Sequence, residues 1–138
     1  MKLRAAAAAV ALTLLVGAAA ASRGAAARAN DGTIGITIHY SKFEPADLAV
    51  EPGETVRFVI VNTDPIDHEF ILGDDRVQLV HEEGTEAHHA PRPGEVSVPA
   101  GETVVTTYSF PKSSGSLIFG CHLPGHYDFG MRGTVAIG

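Results

Sequence analysis

The 138-residue chain contains one cysteine. A single thiol excludes an intrachain disulfide, a Cys-x-x-Cys redox pair and a cysteine-rich zinc module. There is no P-loop, no dinucleotide-binding glycine fingerprint and no Gly-x-Ser-x-Gly motif, so nucleotide-dependent and serine-hydrolase chemistry have no anchor. Basic residues are scarce beyond residue 29. Four of the ten (Lys2, Arg4, Arg23, Arg28) precede that point, and all sixteen acids follow it. The whole-chain charge of −6 therefore hides six bases against sixteen acids, or −10, in residues 30–138. Such a module repels phosphate backbones, and nucleic-acid binding is not expected. The length suits one domain and not two.

What the first 29 residues do have is the layout of a secretory signal. Lys2 and Arg4 form a short positive segment, residues 5–21 are apolar apart from Thr13 and Gly17, and Ala27-Arg28-Ala29 is a small-x-small cleavage site. A cut after Ala29 is expected, with cuts after Ala21 or Ala27 as alternatives. An uncleaved membrane anchor is the competing reading. The apolar run, about 17 residues and mostly alanine, is at the low limit for a span. The remaining 30–138 would then form the domain, acting outside the cytoplasm (periplasmic or secreted) with no stable membrane insertion. Exported proteins usually pair their cysteines, so a lone thiol there needs burial, a partner or a metal.

No helical periodicity of useful length follows residue 30. Strand signals do. Ile34, Ile36, Ile38 and Tyr40 alternate with small or polar residues, and Val56, Phe58 and Ile60 mark one face of TVRFVIVN at 55–62. Further strands are expected at 69–72, 95–98, 103–110, 116–120 and 133–137. Turn residues punctuate them at Pro52-Gly53, Gly73-Asp74-Asp75, Pro93-Gly94, Ala100-Gly101 and Ser113-Ser114-Gly115. Seven or eight short strands predict an all-β fold, a Greek-key β-sandwich. Gly53-Glu54-Thr55-Val56 is echoed at Gly101-Glu102-Thr103-Val104, two similar turn-to-strand transitions. Residues 74–93 break the pattern as a polar insertion, long for a loop in a compact domain. Val77, Leu79 and Val80 are candidates to tether it through a short helix or strand.

The chemistry concentrates in Gly120-Cys121-His122-Leu123-Pro124-Gly125-His126-Tyr127-Asp128-Phe129-Gly130-Met131, between two expected strands. Cys121, His126 and Met131 follow the spacing C-x4-H-x4-M. Thiolate, imidazole and thioether on one loop are soft-to-borderline donors, suited to copper cycling between Cu(I) and Cu(II). Zinc would favour more thiolates or histidines, and calcium or magnesium would need oxygen. A second histidine must come from elsewhere. His68 is the best candidate, because it follows the 55–62 strand and directly precedes Phe70-Ile71-Leu72. The competing reading makes Cys121 and Met131 core residues and His126 a surface histidine. Pro124-Gly125 breaks any strand there, and an unpaired exported thiol weighs against it.

Over nearly all of residues 34–138 the sequence resembles the cupredoxin (blue copper) family, through PGETVRFVIVN, then HEF, then LIFGCHLPGHYDFGMRGTVAI. The C-x4-H-x4-M spacing is similar to that of auracyanins and rusticyanin, and the PGHYDFGM wording to periplasmic cupredoxins linked to copper tolerance. The resemblance implies a type 1 copper site with His68, Cys121 and His126 as equatorial ligands and Met131 as the axial one. It implies one-electron transfer without catalysis. The acidic balance then favours a redox partner with a basic face, and a monomer is expected. Leu123, Pro124, Phe129, Pro65 and Ile66 are expected as an apolar rim around His126.

Several residues lie outside that scheme. Glu69 stands where many blue copper proteins carry Asn or another small polar residue, and either braces the loop or faces outward. His122 is expected to point away from the metal, because strand neighbours face opposite ways. His81, His88 and His89, with Glu82, Glu83 and Glu86, form either a second metal-capture site or a solvated polar loop. His39 receives no role. The alternative function is copper tolerance or delivery using this His-rich insertion. The enzymatic alternatives are a copper oxidase fragment and a thiol hydrolase built on Cys121 and His126, the latter fitting Met131 and the small sandwich poorly.

Overall fold

The computed structural model describes residues 26–84 and 90–138. Ten strands and one helix pack as a Greek-key β-sandwich. The strands are β1 (Ala27–Arg28), β2 (Thr33–His39), β3 (Lys42–Glu44), β4 (Asp47–Val50), β5 (Thr55–Asn62), β6 (His68–Gly73), β7 (Glu95–Val98), β8 (Thr103–Ser109), β9 (Gly115–Gly120) and β10 (Arg132–Ile137). Helix α1 (Asp75–Gly84) lies between β6 and β7. One sheet runs β1-β4-β10-β9-β6-β7 and the other β3-β2-β5-β8. Among the described residues no helix is long and apolar enough to cross a membrane.

The period-two alternation does what the sequence reading expects except at Tyr40, which lies past the end of β2 and is exposed. Ile34, Ile36 and Ile38 of β2 and Val56, Phe58 and Ile60 of β5 all turn inward. They meet Phe70, Leu72, Phe119 and Val135 of the facing sheet in one core. Phe43, Phe58, Phe70 and Phe119 interlock there, with ring centroids 5.2–6.0 Å apart. Each such ring, fully buried, contributes roughly 1.5–3 kcal/mol. The two Gly-Glu-Thr-Val segments lead into β5 and β8, which are antiparallel partners.

The strand count exceeds the expected seven or eight. The additions β1, β3 and β4 are only two, three and four residues long, too short to show a period. Strand β1 pairs in parallel with β4, and Arg28 reaches Glu51 at 3.1 Å. A cut after Ala29 would remove β1, and a cut after Ala21 would keep it. Residues 1–25, with most of the expected signal, lie outside the described residues.

The polar insertion begins as a ten-residue helix, one of the two forms the sequence left open, with Val77 half-buried on it. Asp74 caps it, its Oδ1 accepting the Val77 N–H at 3.0 Å. Leu79 and Val80 do not tether it, because both are more than half exposed. The buried residue on α1 is a polar one, Gln78. Because α1 covers β6, all six residues of that strand are buried.

Candidate metal centre

His68 is the first residue of β6, and a short polar turn after β5 presents it. Asn62, buried at the end of β5, organises that turn. Its side-chain amide donates to the carbonyls of Ile66, Val98 and Pro99 at 2.9, 3.0 and 3.0 Å. Its Oδ1 accepts the Asp64 N–H at 3.0 Å. Asp64 in turn accepts the N–H groups of Tyr40 and Ser41, both at 2.7 Å. The same carboxylate lies 3.0 Å from His68 Nε2. A carboxylate partner places the ring proton on Nε2 and leaves the Nδ1 lone pair facing inward.

Cys121 follows β9, and the loop to β10 folds back on itself. His126 N–H donates to Leu123 O (2.9 Å), Phe129 N–H to Gly125 O (3.0 Å) and Gly130 N–H to Tyr127 O (2.9 Å). Met131 N–H donates to His126 O at 2.9 Å, and Cys121 N–H to Met131 O at 3.1 Å. These bonds draw the three loop candidates together at the loop's two ends. Cys121 and Met131 are fully buried, and His126 is half-buried.

The two segments meet at one point. Cys121 Sγ lies 3.3 Å from His126 Nδ1 and 3.9 Å from His68 Nδ1. The two Nδ1 atoms are 3.3 Å apart. All three ligand atoms fall within 4.8 Å of one another, the arrangement of a metal site. Two imidazole nitrogens and a thiol converging in a buried space need a proton or a cation between them, so this donor set fits a soft or borderline metal ion.

A family model described as the cupredoxin-like domain matches residues 6–89, more than half of the chain. The chain belongs to the cupredoxin-like family. Its relatives include the copper-resistant cuproprotein CopI of Rubrivivax gelatinosus, 41% identical over 100 residues, covering 70% of this chain and 59% of that one. CopI of Vibrio cholerae is 35% identical over 96 residues, covering 66% and 55%. This chain thus spans less than two thirds of either relative's length. Among solved structures, auracyanin from Roseiflexus castenholzii superposes with a TM-score of 0.65 at 24% identity, covering 78% of this chain and 97% of that one. Auracyanin A from Chloroflexus aurantiacus gives 0.63 at 23% identity, covering 77% and 98%. At that identity the structures establish a shared fold.

In this cupredoxin, burial pushes the Cys121 thiol up to about 11, against the N–H groups of Leu123 and Glu69 that pull it down. The carboxylate of Glu69 adds to the rise. Burial, and then the neighbouring His68, lower His126 below its ordinary value. Asp64 goes down despite burial, because the Ser41 and Tyr40 N–H groups and His68 together outweigh desolvation.

Glu69 does not face solvent. It is buried, its N–H donates to Cys121 Sγ at 3.3 Å, and its Oε2 accepts the His122 N–H at 3.3 Å. The carboxylate braces the loop that carries Cys121. His122 turns away from the cluster, as expected, but into α1 rather than into water. Nδ1 lies 2.7 Å from Glu82 Oε2 and Nε2 2.8 Å from Gln78 Oε1. Burial lowers His122, and Glu82 opposes that.

His81, the insertion's described histidine, belongs to no converged group of potential metal ligands among the described residues. His81 lies 2.9 Å from Val77 O through Nδ1 and 3.4 Å from Glu95 Oε2 through Nε2. Glu86, His88 and His89 lie outside the described residues. His39 Nδ1 contacts Thr63 Oγ1 at 2.9 Å on the surface.

Of the expected rim, Pro65, Ile66, Pro124 and Phe129 are exposed and Leu123 is half-buried against the core. Tyr40, 81% exposed, joins Phe129, 84% exposed, beside His126 in one shallow depression. Lys42 Nζ donates to Phe129 O at 2.7 Å, anchoring the loop to β3. Sequence reasoning missed Asp64, Asn62 and Gln78. Only the i,i+4 spacing of Asp64 and His68 offered a signal for any of them.

Proposed function

We propose that this cupredoxin-like protein binds one copper ion through His68, Cys121, His126 and Met131 as a type 1 site and passes single electrons, with no catalysis of its own. The convergence of Cys121 Sγ with the two histidine Nδ1 atoms carries this reading. Bound copper would supply the Cu(I)/Cu(II) couple. The chain's own residues hold the donors still. Asp64 fixes the His68 tautomer, Glu69 N–H donates to the sulfur, and the loop's backbone bonds set the distance between Cys121 and Met131. The half-buried edge of His126, beside Tyr40 and Phe129, would be where a redox partner approaches. The acidic balance of the domain favours a basic face on that partner. The secretory layout of residues 1–29 supports a periplasmic or secreted setting.

A second reading is copper tolerance or delivery. It rests on the copper-resistance names of the two CopI relatives. Addition of Cu(II) to the purified domain is expected to give an intense visible thiolate-to-copper band with one copper per chain. Loss of the band in Cys121→Ser is also expected. Absence of the band, or its persistence in that variant, overturns the type 1 reading. A second equivalent that disappears when His81, His88 and His89 are replaced would support capture by the insertion.

A further inference from the structure

Helix α1 is placed on the two strands that lead to the metal-site residues, and its contacts are unusually close. A Cβ on Gly73, the last residue of β6, would stand 2.6 Å from Val77. A Cβ on Gly120, which directly precedes Cys121, would stand 2.7 Å from the Tyr127 ring and 3.3 Å from Gln78 Oε1. Glycine at both positions lets α1 and the ligand loop press onto the sheet.

Gln78 makes the connection. Its Nε2 donates to the carbonyls of Ile71 in β6 and Ile118 in β9, at 3.1 and 3.0 Å. With the amide nitrogen so engaged, Oε1 faces His122, 2.8 Å from its Nε2. One buried side chain thus joins the His68 strand, the Cys121 strand and the residue after Cys121. Glu82, one helical turn later, holds the other ring nitrogen of His122. Tyr127, next to His126, stacks on the His122 ring at 4.6 Å with an 18° interplanar angle. Arg132 covers the Tyr127 ring, its guanidinium carbon 5.1 Å from the centroid. The residue following each loop histidine or cysteine donor is therefore held in one stack that ends on α1.

We infer that α1 is a clamp on the metal loop, with Gln78, Glu82 and His122 as positioning residues that set how slowly the site releases its ion. This rests on the copper reading above. The polar character of the insertion then has a structural purpose distinct from ion capture, since Gln78 and Glu82 act through the loop and touch no donor atom.

The test uses the copper-loaded protein and a chelator in excess. Gln78→Met keeps the volume and removes all three amide contacts. Glu82→Ala removes an exposed contact with little risk to folding. Contacts to a metal ligand itself are worth roughly 10–100-fold in affinity, and these act one residue further out, so both variants are expected to release copper at least about fivefold faster, with a displaced visible band. Glu82→Gln keeps an acceptor for His122 and is expected to recover to within about threefold of the parent. Val80→Gly, on the exposed side of α1, weakens the helix without touching His122; it controls for general weakening of the helix and is expected to match the parent. If the parent shows the band but Gln78→Met and Glu82→Ala release copper within about twofold of it, the clamp is overturned alone. If Val80→Gly accelerates release as much as they do, helix stability and not positioning is responsible, and the clamp is again overturned. A parent without the band overturns the copper reading and the clamp with it.

Discussion

Asp64 Oδ2 lies 3.0 Å from His68 Nε2, on the ring edge remote from the Cys121 sulfur. The contact settles which nitrogen of His68 is free to bind. It is backed by the Tyr40 and Ser41 N–H groups, so the carboxylate is itself held in place. Removing it in Asp64→Ala is expected to weaken copper binding about 10–100-fold. Competition against a chromophoric chelator measures this, and unchanged affinity would show that the ring orients without help.

Asn62 makes four hydrogen bonds from a buried position. Asn62→Ala leaves several of those partners unsatisfied and is expected to cost about 2–3 kcal/mol. Urea unfolding of the metal-free protein gives the value. Because the same bonds shape the turn before His68, copper affinity should fall in parallel.

Phe70 is fully buried and contacts Phe43, Phe58 and Phe119. Phe70→Ala opens a cavity at the centre of the sandwich and is expected to cost about 3–5 kcal/mol. A lower urea midpoint with an unchanged slope would identify this as lost stability rather than an altered unfolded state.

The Cys121 thiol, pushed up to about 11, is almost wholly protonated at neutral pH in the metal-free protein. At pH 8 about one molecule in a thousand carries the thiolate, against about a quarter for an ordinary cysteine. Iodoacetamide labelling of the folded, metal-free protein should therefore be more than about a hundredfold slower than in denaturant. Rapid labelling under native conditions would contradict the burial of the sulfur.

Tyr108 is raised above its ordinary value by burial, then by Asp74 and Glu95. Well below about pH 10, near pH 8, the phenol is neutral both folded and unfolded, and it adds no pH dependence. As pH rises from there the unfolded chain loses the proton first. Stability should therefore decline through that range until the raised folded value is passed. Urea midpoints at pH 8, 10 and 11 should show the fall, and Tyr108→Phe should flatten it.

The amino-acid sequence by itself determined the sandwich and the candidate donors. Alternation along β2 and β5 is local, and it commits Ile34, Ile36, Ile38, Val56, Phe58 and Ile60 to one face wherever the strands pack. Cys121, His126 and Met131 sit within one loop, so their types and spacing were legible without knowing the fold. His68 was legible through its position just ahead of an apolar strand. The tertiary structure decided what surrounds them. Gln78, Glu69 and Asp64 carry polar side chains that a sequence places in water. They are buried because segments distant along the chain close over them and supply hydrogen bonds. A buried polar group is stable only with such partners. Those partners sit up to 53 residues away, as with Glu69 and His122. The role of α1 followed the same rule. Its apolar residues Leu79 and Val80 face outward and its glutamine faces in, because the surface it covers is a pair of strand carbonyls and an imidazole rather than hydrocarbon.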